Sequence, residues 1–177
     1  LATRYLTSAS KHKDITDAVR LCEFYYQDAV TRIYSLRERA WDALAALADV
    51  HRKPTGNQQF RDDVSVRLEA KFPELGVAFE KLQTMIGPYM KGRNVSTHET
   101  LLFLGITFPI DSGAAYEIDS VLLWHDPDSL DGKEIRATVR KALNTFARQE
   151  VGNFREIAIQ ALEVERLCSD EIRKKTW

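Results

Sequence analysis

Residues 14–50 decide the fold class, and they read DITDAVRLCEFYYQDAVTRIYSLRERAWDALAALADV. Apolar side chains recur there every three or four positions, which is the spacing of one face of an α-helix. They are Ile15, Val19, Cys22, Tyr26, Ala29, Ile33, Leu36, Ala40, Leu44 and Leu47. The stretch contains no glycine or proline, whereas Pro54 and Gly56 follow soon after it. It therefore predicts one helix of about 36 residues, roughly 54 Å long, that stops before the proline.

A second long helix is predicted near the other end of the sequence. Its apolar residues have the same spacing, and they are Ile135, Val139, Ala142, Phe146, Phe154, Ile157, Ala161, Val164, Cys168 and Ile172. Asp131, followed three positions later by Glu134, predicts a capping pair at the start of this helix. Gly152 and Asn153 predict a kink near its middle.

Shorter helices are predicted between the two long ones. Residues 58–71 form one, and Pro73 suits the first turn of the next, which covers residues 74–85. Ile86-Gly87-Pro88 is expected to interrupt that helix, because proline lacks the backbone N–H that a helix interior needs. Helical structure is expected to resume at Tyr89 and to extend to about residue 104.

The pattern changes between residues 105 and 131. Residues 107–113 indicate an extended piece and a turn, and residues 117–124 have the composition of a short strand. The sequence therefore predicts an all-α fold, an antiparallel helical bundle with two long helices, plus a short irregular or β-hairpin insertion around 105–131. Residues 1–177 are expected to form a single helical domain.

Composition narrows the classes of function. The formal net charge is −1, so no overall basic field attracts nucleic acid or a membrane, and such binding needs a local patch. The sequence has no run of about 18 apolar residues, and its first residues do not resemble a signal peptide. We therefore predict a cytoplasmic protein. Cys22 and Cys168 lack the short spacing of zinc or redox motifs and are expected to be reduced, buried thiols.

The acidic segment from Asn94 to Gly132 holds seven acids and no lysine or arginine. A segment of this kind is most often a solvated loop, and its functional alternative is a lid or a contact for a basic partner. Within it, residues 125–128 (His-Asp-Pro-Asp) do not have the spacing of a calcium loop. We therefore predict no metal ion and no cofactor.

One short motif, Arg93-Asn94-Val95-Ser96-Thr97-His98, carries residue types suited to chemistry on phosphates. An arginine stays charged and offers a bidentate fork to a phosphate group. A histidine, with an unperturbed pKa near ~6.5, can take up and release protons at neutral pH. Lys91 and Arg93 give the stretch from Gly87 to His98 a local charge of +2 without any acid.

This motif resembles the catalytic motif of the HEPN superfamily, the higher eukaryotes and prokaryotes nucleotide-binding domains. In that family an arginine precedes a polar residue, often Asn, Asp or His, and a histidine follows further on. The helical layout and the aromatic, charged stretch from Arg20 to Tyr26 also look like bacterial members of the family. The resemblance implies catalytic roles for Arg93, Asn94 and His98, and we add Lys91 as a substrate-binding residue.

The resemblance also implies a reaction and partners. The reaction is metal-independent cleavage of RNA, in which a 2′-hydroxyl attacks the adjacent phosphate and leaves a cyclic phosphate and a 5′-hydroxyl. The expected partners are RNA, a second copy of the chain that completes a shared cleft, and an antitoxin if the protein acts as a toxin or antiphage-defence effector. The alternative is a catalytically inactive HEPN-fold module that binds nucleotides or protein.

Helix geometry leaves three ways to bring the motif to one phosphate. Positions 93 and 98 lie about 140° apart on a continuous helix, so they do not share a narrow face. The helix could begin near Arg93, long side chains could reach round it, or two copies could meet across a dimer axis. The plainer interpretations are that His98 is a structural or surface residue and that Arg93 caps a helix or pairs with a carboxylate. The resemblance also suggests that Glu38, on the first long helix, faces the motif and holds Arg93.

Overall fold

The computed structural model describes residues 2–51, 57–98, 108–109, 115–116 and 128–176. These residues form five helices, which are α1 (Ala2–Ala9), α2 (Ile15–Ala48), α3 (Asn57–Lys71), α4 (Pro73–His98) and α5 (Leu130–Thr176). They also form a small antiparallel ladder between β1 (Phe108–Pro109) and β2 (Ala115–Tyr116). The prediction of an all-α fold with two long helices is therefore confirmed, and the ladder confirms a hairpin in the insertion. The strand predicted for residues 117–124 lies outside the described residues.

The chain divides into two compact units. Unit 1 comprises Leu1–Val30 and Arg93–Arg155, and unit 2 comprises Thr31–Gly92 and Glu156–Trp177. The boundaries therefore fall inside α2, α4 and α5, so each of these helices contributes residues to both units. The expectation of a single domain stays a prediction.

α2 begins immediately after an N-cap residue. The Asp14 Oδ1 atom accepts hydrogen bonds from the backbone N–H groups of Thr16 (2.8 Å) and Asp17 (3.0 Å). These bonds occupy two of the donors that the first turn of a helix leaves without partners. The bond from Asp17 contributes most to lowering the pKa of the Asp14 carboxyl.

α5 begins at Leu130, and its cap is not the predicted one. The Ser129 hydroxyl accepts a hydrogen bond from the backbone N–H of Gly132 at 2.9 Å, so Ser129 holds the N-cap position. The prediction of a capping pair at Asp131 and Glu134 is therefore wrong, because both residues already lie within the helix. Beyond the cap, α5 runs to Thr176 without a break at Gly152.

α4 continues through the residues that were expected to interrupt it. Pro88 lies inside the helix, which runs unbroken from Pro73 to His98. A proline in a helix interior costs about 3 kcal/mol. Ile86 and Tyr89, on either side of this site, are both buried, and burying a large apolar side chain contributes roughly 1.5–3 kcal/mol. The burial of these two side chains thus offsets the free-energy cost of the proline in the helix.

α1 is an element that the sequence pattern does not predict. Among the residues of α1 whose side chains are described, the buried apolar ones are Leu6 and Ala9, too few to show a helical period. It is held to α2 by the ring of Tyr5, which stacks on the ring of Tyr25.

In unit 1, the first half of α2 packs against the first half of α5. The Tyr26 ring lies 5.3 Å from the Phe146 ring and 6.0 Å from the Phe154 ring, between centroids. Arg140, earlier in α5, donates to the carbonyl oxygen of Ser10 at 2.9 Å, just before α2 begins. Earlier residues of α2 thus contact earlier residues of α5, and later residues contact later ones. Within unit 1 the two helices therefore run in the same direction.

In unit 2, α4 runs opposite to α2. Arg37 Nε donates to Gln83 Oε1 at 2.8 Å, and one turn further along α2 the Trp41 ring meets the Phe79 ring edge-on at 4.6 Å. The later residue of α2 thus pairs with the earlier residue of α4.

α4 also runs opposite to α5 in unit 2. Gln160 Nε2 donates to the Ala78 carbonyl oxygen at 2.9 Å. Further along α5, the pKa of Arg166 is raised first by Glu163 and also by the charge of Glu74. In unit 2, α4 therefore packs antiparallel to both α2 and α5.

Candidate functional site

The predicted motif lies in the last two turns of α4. Arg93, Asn94 and His98 all have helical backbone, while the side chains of residues 91–98 lie outside the part of the structure that is described. Asn94 and His98 are four positions apart and so occupy neighbouring places one turn apart on the helix. The alternative in which the helix begins near Arg93 is wrong, because α4 begins at Pro73.

The boundary between the two units runs through this motif region. Arg93, Asn94 and His98 belong to unit 1, whereas Lys91 belongs to unit 2. The three predicted catalytic positions therefore fall within one compact unit. The role proposed for Lys91 stays a prediction.

Glu38, considered above as a partner for Arg93, is engaged by two other arginines. Its Oε1 atom accepts a hydrogen bond from Arg61 at 3.1 Å and lies 3.8 Å from Arg37. Burial lowers the pKa of Arg37, and the neighbouring charge of Arg61 lowers it further. Glu38 therefore has a structural role in unit 2, joining α2 to α3.

A cavity of about 320 Å³ opens beside this cluster in unit 2. Its lining includes Arg37, Trp41, Arg61, Phe79 and Gln83. The Arg61 guanidinium lies 5.8 Å from the centre of the Trp41 ring, within cation–π range. Two buried donors in this lining, Trp41 Nε1 and Gln83 Nε2, have no hydrogen-bond partner among the described residues. No pattern in the sequence indicates this cavity, because its lining residues come from three helices.

An apolar groove of about 720 Å³ lies elsewhere in unit 2, between α2 and α5. Leu36, Leu162 and Ile172 line it and are partly exposed. Helical spacing had placed Leu36 and Ile172 on the buried faces of their helices, and both are more exposed than that interpretation requires.

The tyrosines of α2 have different surroundings. Tyr26 is half-buried against the Phe146 and Phe154 rings of unit 1, where burial first and the Glu150 charge second raise its pKa to about 12. Tyr25 instead lies in a partly exposed group with Tyr5 and Phe24.

Neither cysteine has the features of a nucleophile. Both are free thiols, Cys22 buried and Cys168 partly exposed. Burial raises the pKa of the Cys22 thiol to about 11 and raises that of Cys168 as well. A thiol with a raised pKa has little of the reactive thiolate at neutral pH.

No protein-family model, curated protein or solved structure matches the chain. Among the described helices, none is both long enough and apolar enough to cross a membrane. The described residues also contain no cluster of three or more histidine, cysteine, aspartate or glutamate side chains able to hold a metal ion.

Proposed function

We propose that this protein is a metal-independent endoribonuclease of the HEPN type, with Arg93, Asn94 and His98 as its catalytic residues. The observation that carries the proposal is the sequence Arg93-Asn94-x3-His98 at the end of an unbroken helix, within an all-α fold with two long helices. The proposal takes its reaction from the resemblance of this motif to that family.

The proposed reaction needs a proton removed, a proton supplied and negative charge stabilised. The 2′-hydroxyl of one nucleotide attacks the adjacent phosphorus, the P–O5′ bond breaks, and a 2′,3′-cyclic phosphate and a 5′-hydroxyl result. His98 exchanges protons, because an imidazole titrates near neutral pH. Arg93 neutralises the charge that develops on the phosphate oxygens, and Asn94 orients His98 or binds the substrate.

The proposed assembly is a two-fold dimer. Positions 93 and 98 of one chain lie about 140° apart around α4, so a second copy is a direct way to bring an arginine and a histidine to the same phosphate. The biological setting that we propose is a toxin or defence effector in a bacterial cell, held in check by an antitoxin.

The test is cleavage of end-labelled RNA in the presence of EDTA, by the wild type and by His98→Ala and Arg93→Ala. We expect the wild type to cut RNA and each variant to lose at least 100-fold in rate, the lower end of the range for removal of a general acid or base or of a group that stabilises developing charge. His51→Ala and Arg173→Ala are matched controls, because both residues are exposed and lie in unit 2.

Two results would count against the proposal. Wild-type protein that is folded and dimeric but cuts no RNA would favour the binding-module alternative. Cleavage that persists undiminished in His98→Ala would point to a contaminating nuclease or to other catalytic residues.

A further inference from the structure

The cavity beside Glu38 in unit 2, which we call the Trp41 cavity, has two buried hydrogen-bond donors in its lining. Trp41 is 5% exposed, and its Nε1 atom has no hydrogen-bond partner among the described residues. The Nε2 atom of Gln83 is also buried and likewise has no partner in that part of the chain. A buried donor without an acceptor destabilises a fold, so a molecule that presents acceptors to both groups is bound favourably.

The two donors lie on facing turns of α2 and α4. Trp41 follows Arg37 by one turn of α2, and Arg37 Nε donates to Gln83 Oε1 at 2.8 Å. This bond also fixes the orientation of the Gln83 amide, because a guanidinium has donors only and must face the amide oxygen. The amide nitrogen is therefore the end of Gln83 that is left for a ligand. A carboxylate, with two acceptor oxygens, matches a pair of N–H donors.

The charged residues of the Trp41 cavity form an inner and an outer group. Arg37 and Arg61 are the inner group, with side chains 19% and 22% exposed, and both lie near the single acid Glu38. The inner group thus has one cation in excess. The outer group consists of three exposed acids, which are Asp62, Glu69 and Glu80. Because the lining has three acids against two arginines, a simple anion does not fit it, whereas a ligand with a negative and a positive end does.

The remaining lining is apolar, and the space is small. Leu68 is 1% exposed and Phe79 is 3% exposed, and the Phe79 ring meets the Trp41 ring edge-on. The volume of about 320 Å³ is at the lower end of the range for ligand cavities, ~300–1,000 Å³. The ligand is therefore a small molecule with some apolar surface.

We propose that the Trp41 cavity binds a small zwitterion, an α-amino acid with an apolar side chain. Its carboxylate accepts hydrogen bonds from Trp41 Nε1 and Gln83 Nε2, beside the positive charge of Arg37. Its ammonium group faces the three exposed acids, and its side chain contacts Leu68 and the Phe79 ring. This inference goes beyond the proposed ribonuclease function and does not depend on it.

The test is isothermal titration calorimetry of the full chain with free alanine, valine, leucine, methionine and phenylalanine as probes. We expect at least one of them to bind with one molecule per chain. The methyl ester of that amino acid lacks the carboxylate charge, and its N-acetyl derivative lacks the ammonium charge. Each should bind at least about tenfold more weakly, because each loses hydrogen bonds to a charged group.

Two variants locate the carboxylate. Gln83→Glu keeps an oxygen for Arg37 Nε and replaces the amide donor by a second oxygen, so it should weaken binding at least about tenfold. Trp41→Phe keeps an aromatic ring, loses the Nε1–H donor and should also weaken binding. The matched control is Gln59→Glu, because Gln59 is exposed on α3 and is not among the residues that line the cavity. Gln59→Glu should bind the amino acid as the wild type does.

Three outcomes would overturn the inference. Binding of none of the five amino acids would mean that water serves the two donors. A loss in Gln83→Glu no larger than in Gln59→Glu would place the amino acid elsewhere, and Trp41→Phe decides this point if Gln83→Glu does not fold. A methyl ester that binds as tightly as the free amino acid would replace the zwitterion by a ligand with an uncharged acceptor.

Discussion

In the proposed reaction, His98 exchanges protons and Arg93 stabilises negative charge. An imidazole exchanges protons near neutral pH, whereas a guanidinium keeps its charge and its five donors. Residue type and spacing are enough to single out these two positions in a sequence. The stacking of Tyr5 on Tyr25 could not be found in that way, because it depends on α1 lying against α2.

Asp14 gives a prediction about pH at the residue scale. Its pKa is lowered in the folded protein, chiefly by the backbone N–H of Asp17, from a value of 3.8. A carboxyl with a depressed folded pKa stabilises the fold fully above its unfolded pKa and loses this contribution as pH falls through the folded pKa. Asp14→Ala should therefore lower the urea midpoint at pH 7, and the difference from wild type should shrink as the pH falls below 3.8.

The control for this prediction is Asp14→Asn, because an asparagine caps a helix about as well as an aspartate but does not titrate. This variant should keep the urea midpoint near the wild-type value at pH 7. Its stability should not show the part of the decrease at low pH that comes from protonation of Asp14. A difference between wild type and Asp14→Ala that stays constant from pH 7 to pH 2 would contradict this account of the cap.

At the scale of elements, hydrophobic period predicted the two long helices, and local signals misplaced two helix features. In α2 and α5 the apolar pattern repeats over enough residues to be recognised directly in the sequence. The Gly87-Pro88 pair suggested a break in α4, but burial of Ile86 and Tyr89 keeps that helix continuous. Such burial is a property of tertiary packing, which a local pattern of residues does not contain.

The N-cap of α5 provides a prediction at this scale. Ser129 accepts the hydrogen bond from the Gly132 N–H, so Ser129→Ala should lower the free energy of unfolding by about 1 kcal/mol. Glu134→Ala should have a clearly smaller effect, because Glu134 lies in the helix and is not its cap. Chemical denaturation of both variants measures the two differences. A larger loss in Glu134→Ala than in Ser129→Ala would restore the capping pair that the sequence suggested.

For the molecule as a whole, the sequence predicted an antiparallel bundle but did not assign a direction to each pair of helices. The periods of α2 and α5 predict that both are amphipathic, but not that they run in the same direction in unit 1 or that α4 opposes each of them in unit 2. The same limit applies to the candidate site, since its assembly from one chain or two depends on contacts between chains.

The proposed dimer can be tested by mixing two inactive variants. If each site combines Arg93 of one chain with His98 of the other, a dimer of Arg93→Ala with His98→Ala has one intact site. Random mixing makes half of the dimers mixed, so about a quarter of wild-type activity should return after subunit exchange. Cleavage of labelled RNA before and after mixing is the measurement.

The control for mixing is each variant incubated with itself under the same conditions, which should stay inactive. No recovery from a mixture shown to contain mixed dimers would mean that Arg93 and His98 act within one chain. In that case the dimer is not needed to complete the site.

The central claim is metal-independent cleavage by a 2′-hydroxyl, and one measurement tests it most directly. The wild-type protein is incubated in EDTA with an RNA and with the same sequence carrying 2′-O-methyl groups at every position, and the products are identified by mass spectrometry. The account predicts that only the unmodified RNA is cut and that its products end in a 2′,3′-cyclic phosphate. Cleavage of the 2′-O-methyl RNA, or no cleavage of either RNA, would contradict it.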